Sequence, residues 1–201
     1  MNKDAQKHPF EAVFDSDSKV LILGSFPSIS SIEVGFYYGD SSNRFWDILG
    51  EIFGDSRLKG HSKDDKIAFL LKHNIALWDI WGHCYKNPPN SARDDDILGE
   101  PESEFADLTK ILQSAKIHKI FTTIGGSQNS TNPRGDNFKK WGVEQWLWDK
   151  YANYFPHCKD LREIVCPLFS TAPQTRLSVS DDKMFADYRQ IKDTLNQLKG
   201  E

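Results

Sequence analysis

Residues 20–28, VLILGSFPS, restrict the possible folds of this chain more than any other stretch. Four apolar residues, Val20 to Leu23, run into Gly24, and Ser25, Phe26, Pro27 and Ser28 then form a turn of mostly small residues. So short and unbroken an apolar run suits a strand buried on both faces, the setting of a parallel sheet covered by helices. A strand ending in such a turn presents backbone N–H groups at the carboxyl edge of the sheet, where α/β proteins put their ligands. Three further apolar runs, residues 75–80, 120–124 and 164–169, repeat the strand pattern.

Between the runs, apolar residues recur at helical spacing. Phe45, Trp46, Ile48, Leu49, Ile52 and Phe53 mark one face. Ile67, Phe69, Leu70 and Leu71 mark a second helix, with Asp64 and Asp65 in its first turn. A third is predicted from about Glu102 to Ala115, its Phe105, Leu108, Ile111 and Leu112 spaced for burial. A polar loop, residues 125–137, then leads to an aromatic helix carrying Trp141, Trp146, Trp148, Tyr151, Tyr154 and Phe155. Packing against the sheet accounts for these rings better than base stacking does. The last helix is predicted from Asp182 to Leu198, with Phe185, Tyr188, Ile191 and Leu195 on one face. The alternation predicts an α/β fold: a three-layer α/β/α sandwich with a short four-stranded parallel sheet. At 201 residues the chain suits one domain over 1–201, with its core about 18–198.

No run of about 18 apolar residues exists, so no membrane span is expected. The N-terminal segment is too polar for a secretory signal, and the expected location is the cytoplasm. Three scattered cysteines, Cys84, Cys158 and Cys166, can build neither a disulfide framework nor a four-cysteine cluster site. The six histidines (His8, His61, His73, His83, His118, His157) show no spacing such as H-x-x-x-H, so no metal is expected. A net charge of −4 and a pI near 5.9 argue against a broad non-specific nucleic-acid surface. They leave room for a local positive patch that grips a few phosphates.

Downstream of the turn, Phe36, Tyr37, Tyr38 and Gly39 form an aromatic, glycine-broken loop that leads into the first amphipathic helix at Asn43. Flat side chains beside a strand end suit a flat ligand such as a nucleobase. Gly24-Ser25-Phe26-Pro27-Ser28 and Tyr37-Tyr38-Gly39-Asp40-Ser41-Ser42-Asn43-Arg44-Phe45-Trp46 together resemble the uracil-DNA glycosylase superfamily. The resemblance is to its hypoxanthine (deoxyinosine) branch, with a GS-x-P-G/S turn and a YY-x-x-x-x-N-x-FW block. Similarity covers most of residues 18–100 and 160–180. It implies a monofunctional hydrolase that excises a deaminated base from DNA, hypoxanthine first, and leaves an abasic site. It also implies DNA containing a damaged base as the partner; a monomer without cofactor is expected, and the cysteine and histidine patterns above leave neither an iron–sulfur cluster, which some families of the superfamily carry, nor a metal. The same chemistry on uracil is one alternative; a non-catalytic nucleobase or nucleic-acid binding module is another.

The resemblance assigns roles residue by residue. Gly24, Ser25, Phe26, Pro27 and Ser28, otherwise an ordinary βα turn, become base contacts whose backbone N–H groups stabilise charge on the leaving base. Related uracil-specific enzymes handle the attacking water with an Asp or Asn at the slot of Phe26, which can do neither. The polar role then falls to Asn43. Read from the residues alone, Asn43 is a helix cap before it is a catalyst; the resemblance reverses that order, and as catalyst Asn43 orients water and meets the oxocarbenium-like sugar. Tyr37 and Tyr38 are predicted as pocket wall. Asp79, at the end of the second strand run, either caps a turn or accepts the N1–H of hypoxanthine. Ser91-Ala92-Arg93-Asp94-Asp95-Asp96-Ile97 resembles the branch's G-S-x-D-x-x-I segment, with Ser91 and Ala92 departing from it. Ser170, Thr171, Ala172, Pro173 and Gln174 resemble the DNA-binding loop that wedges into the duplex, without the His that family-1-like enzymes hold at the slot of Ser170. No lysine is placed as an amine nucleophile, so water is expected to receive the sugar.

Overall fold

The computed structural model describes residues 5–89, 91, 93–99, 103–124, 136–160, 163–173, 175 and 178–199. Its strands are β1 (Gln6–Lys7), β2 (Val20–Gly24), β3 (Ile75–Asp79), β4 (Trp81–Lys86), β5 (Ile97–Leu98), β6 (Glu104–Phe105), β7 (Lys119–Thr122) and β8 (Val165–Pro167). Its α-helices are α1 (Ile29–Val34), α2 (Phe45–Phe53), α3 (Lys63–Lys72), α4 (Thr109–Ser114), α5 (Asp136–Lys140), α6 (Val143–Tyr151) and α7 (Asp181–Gln197).

The main sheet has the order β3-β2-β7-β8, and every pair in it is parallel. Every residue of β2, between β3 and β7, is buried, which is why it reads as an unbroken apolar run. Alternate residues of that strand face opposite layers. Leu21 and Leu23 pack with Ile111 and Leu112 of α4 and Val143, Leu147 and Tyr151 of α6. Val20 and Ile22 pack with Phe45, Ile48 and Leu49 of α2, Leu70 of α3, and Tyr188 and Ile191 of α7. These two clusters, one on each face, are the helical layers of an α/β/α sandwich. Hydroxyl caps set two of the helix starts: Ser62 accepts from the Asp65 N–H at α3, and Ser180 from the Lys183 N–H at α7. No helix among the described residues is long and apolar enough to cross a membrane.

Around this frame the chain departs from the expected pattern in four places. The run over 75–80 stops at Asp79; Ile80 turns the chain, its N–H donating to the Gly24 carbonyl at 3.0 Å. The chain then continues as β4, antiparallel to β1, β5 and β6. The helix predicted from about residue 102 begins at Thr109, because Phe105 lies in β6 and the Ala106 N–H donates to the Ile80 carbonyl at 2.8 Å. The Asp107 carboxylate then accepts from both the N–H and the hydroxyl of Thr109. A left-handed Gly142 (φ 66°) divides the aromatic stretch into α5 and α6. Its rings pack inward except Trp148, which stays exposed: Trp146 stacks on Phe105 of β6 (4.5 Å), Phe105 on Trp81 (4.4 Å), and Trp141 meets Trp81 edge-on. The short helix α1, absent from the predicted elements, follows the first turn, where the Ser28 hydroxyl accepts from the Ser31 N–H.

Candidate active site

β2 and β3 end side by side. Gly24 stands in register with Asp79, and Leu23 has Thr122 on its other side. The missing side chain at Gly24 makes the room: a Cβ there would stand 2.2 Å from Asp79 Oδ1 and 2.9 Å from the Tyr38 hydroxyl. Asp79 is only 4% exposed, and a carboxylate so buried needs a partner. His8 supplies it, Nε2–H donating to Asp79 Oδ2 at 2.9 Å. The imidazole reaches that point because β1 pairs with β4 and the His8 N–H donates to the Gly82 carbonyl. Its ring lies against Trp78 (4.3 Å) and meets Phe26 edge-on (5.6 Å). His8 Nδ1 faces both the N–H and the carbonyl of Phe10. The neutral ring accepts from the N–H, the imidazolium donates to the carbonyl, and the Asp79 contact is the same in both. Asp79 Oδ1 makes no hydrogen bond among the described residues and remains an acceptor.

The turn after β2 is pinned through its carbonyls, Gly24 by the Ile80 N–H and Ser25 by the Trp81 N–H (3.2 Å). The N–H groups of Phe26 and Ser28 have no partner among the described residues. The side chains of Phe26 and Pro27 are buried, Phe26 within the core under β2, and the Ser28 hydroxyl caps α1. A ligand at this turn therefore meets backbone. The exception is Ser25, whose hydroxyl donates to Asp94 Oδ1 at 2.8 Å. Burial holds the Asp94 carboxyl above the usual carboxylate range; Lys86 and the Ser25 hydrogen bond oppose the shift, and the charges of Asp79 and Asp95 add to it.

The two adjacent tyrosines part company. Tyr37, predicted as pocket wall, is 2% exposed. Its hydroxyl donates to the Glu11 carbonyl at 3.0 Å, its ring packs on Phe10 and Phe36, and its own carbonyl accepts from Trp46 Nε1–H. The N-terminal segment covers this ring, so Tyr37 braces the loop from inside, and Tyr38 is the more exposed of the two. Tyr38 adopts a left-handed backbone (φ 51°), lies flat on Phe45 (3.9 Å, 14° between planes), and shares a 2.8 Å hydrogen bond with Thr123 Oγ1. Burial, reinforced by the charge of Asp79, pushes both phenols far above their usual range, so both hydroxyls stay neutral.

Asn43 precedes α2, and its Oδ1 accepts the Phe45 N–H at 2.9 Å. The half-exposed side chain thus satisfies a helix-start donor although Arg44 stands at the cap position; its Nδ2 donates no hydrogen bond among the described residues. Arg44 is buried and ion-paired with Asp181. The Arg44 N–H donates to the Thr171 carbonyl at 3.2 Å, which joins the Asn43 loop to the loop after β8. In that second loop, Ser170 Oγ accepts from the Ala172 N–H, Thr171 is buried, and Pro173 is half-buried. Gln174, like Ala92, lies outside the described residues. The residue that sequence reasoning missed is His8, 71 positions from the carboxylate it holds. No local pattern marks it; only the pairing of β1 with β4 does.

Fold and site together define an α/β protein with a polar cluster at the carboxyl edge of a parallel sheet. Residues 11–194 match the model of the uracil DNA glycosylase superfamily, and the chain belongs to that superfamily. It is similar to a hypoxanthine DNA glycosylase of Methanosarcina acetivorans, 31% identical over 112 residues, which are 55% of this chain and 68% of that protein. A hypoxanthine DNA glycosylase of Methanosarcina barkeri is 34% identical over 94 residues, 46% of this chain and 59% of that one. The fold matches the solution structure of a candidate uracil DNA glycosylase from Methanosarcina acetivorans, with a TM-score of 0.63 at 23% identity, over 92% of this chain and 98% of the other.

Proposed function

We propose that the protein is a monofunctional DNA glycosylase that hydrolyses the N-glycosidic bond of a deaminated nucleotide, deoxyinosine first, and leaves an abasic site. One arrangement carries this reading: among the described residues Asp79 Oδ1 is still open after His8 has taken Oδ2, at the same strand end where the Phe26 N–H has no partner among them. Acceptor and donor together match the N1–H and O6 edge of hypoxanthine. Uracil presents a similar N–H and carbonyl edge, which makes it the second substrate.

The damaged nucleotide leaves the stack and lies against Tyr38, which Phe45 backs. The turn N–H groups stabilise the charge that collects on the base as its bond breaks. Asn43 orients the water and contacts the sugar, while Ser170 to Pro173, with Gln174 beyond, meets the duplex from the neighbouring loop. Within this reading the protein acts as a cytoplasmic monomer without a metal. Purified protein with labelled duplexes containing inosine, uracil or xanthine tests it: release of free base and an alkali-labile strand is expected, fastest for inosine. Tight binding without release would make the protein a binding module, and neither binding nor release would overturn the reading.

A further inference from the structure

The glycosylase reading gives the water to the Asn43 amide, the leaving charge to the first turn and the base edge to Asp79, and leaves the water's proton without an assigned acceptor. An amide is no base near neutral pH, and Phe26 offers nothing in its place. Resting on the glycosylase reading above, we propose that Asp94 is the general base of the reaction, held at the first turn by Ser25.

The geometry separates Asp94 from its neighbours. Of the consecutive carboxylates Asp94, Asp95 and Asp96, Asp95 faces Arg93 and Asn137, and Asp96 accepts from the Ser91 hydroxyl. Asp94 is the one turned to the strand ends, where its Oδ1 takes the Ser25 hydroxyl and its Oδ2 makes no hydrogen bond among the described residues. The charged and titratable groups around it are Lys86 and Cys84 from β4, Asp79 from the end of β3, Asp95 beside it in the chain, and Tyr38 from the aromatic loop. Lys86, itself buried, favours the ionised form. Desolvation and the carboxylates strengthen the base while Lys86 and Ser25 keep its charge tolerable, the balance that a general base needs.

The step balances. The bond from C1′ to the base nitrogen breaks with its electron pair leaving on the base. The water oxygen bonds to C1′, and the water's proton passes to Asp94 Oδ2. That proton, or one from solvent, then neutralises the departing base.

Single-turnover excision from an inosine duplex, measured across pH for the wild type, Asp94→Asn and Ser25→Ala, tests the assignment. Binding is measured separately on a duplex carrying uncleavable 2′-fluoro-deoxyinosine. Asp94→Asn keeps an oxygen for Ser25 and removes the base, so it should slow excision about 10²-fold or more, leave analogue binding within a few-fold, and abolish the fall in rate at acid pH. Ser25→Ala removes a bond that favours the ionised form, so the acid limb should move to higher pH. Asp94→Asn excising at the wild-type rate with the wild-type pH profile would overturn the proposal and leave Asp94 as an anchor of the turn. An acid limb unmoved in Ser25→Ala would overturn it as well. A wild-type chain that releases no base from inosine, uracil or xanthine would overturn the glycosylase reading, and Asp94's role with it.

Discussion

Asn43 commits one end of its carboxamide to α2 while its Nδ2 makes no hydrogen bond among the described residues, so its cap role and its proposed catalytic role are separable. Losing a helix-start oxygen costs about 1 kcal/mol, whereas losing a positioned polar group at the reacting centre costs about 10²-fold in rate or more. Asn43→Ala should therefore melt slightly lower and excise far more slowly in single-turnover assays. A variant that melts lower but keeps its rate would reduce Asn43 to a cap. Asp79 differs, because on the proposed reading fold and recognition meet on one carboxylate. His8→Ala leaves that carboxylate buried without its donor and should cost about 3 kcal/mol in denaturant unfolding. Asp79→Asn places a donor where the base edge needs an acceptor, so the ratio of inosine to uracil excision should change. If the ratio is identical in wild type, Asp79→Ala and Asp79→Asn, Asp79 has no part in reading the base.

Among the elements, the β2–α1 turn is the one that tolerates least. A methyl group at position 24 would collide with Asp79 Oδ1 at 2.2 Å, and that carboxylate cannot yield without leaving His8. Gly24→Ala should cost about 1–3 kcal/mol, as overpacking does, and slow excision as Asp79 is displaced. Unchanged unfolding and unchanged excision together would show that the turn adjusts freely. This turn is also where sequence and structure agree best. The four parallel strands are legible as apolar runs, most plainly Val20 to Leu23 of β2, which is buried on both faces, whereas the edge strand β8 is buried only at Val165. The antiparallel sheet around β4 is not, because β1, β5 and β6 have two residues each, too few to carry a period. The same limit hides His8, whose place depends on β1, and misplaces Tyr37, whose burial depends on the N-terminal segment folding over it. Asn43, Asp79 and the first turn are visible in sequence because each sits at a boundary that turn and cap chemistry marks.

Over the whole molecule, carboxyl groups pull stability in opposite directions as pH changes. Hydrogen bonds from Ser42 to Asp40 and from Thr109 to Asp107 hold those carboxyls below their usual range. Their stabilisation is present above the ordinary carboxylate value and is lost as pH falls. Asp94 has the reverse sign, because burial raises it in the folded chain. Below the ordinary carboxylate value, about 3.9, it is protonated whether the chain is folded or not, and its folded site carries no charge penalty. As pH rises past that value the unfolded chain releases the proton first, so the folded state binds more protons and loses stability until its own raised value is passed. Asp94→Asn removes this loss and leaves Asp40 and Asp107 untouched. The variant's melting temperature should therefore gain on that of the wild type as pH rises past about 4, until the raised value of the folded carboxyl is passed. Calorimetric melts of both proteins across that range measure the margin directly, and a constant or narrowing gap would mean that the carboxylate carries no penalty in its site. A widening gap, joined to slower excision by the same variant, is the pattern of a charge kept for chemistry at the expense of stability.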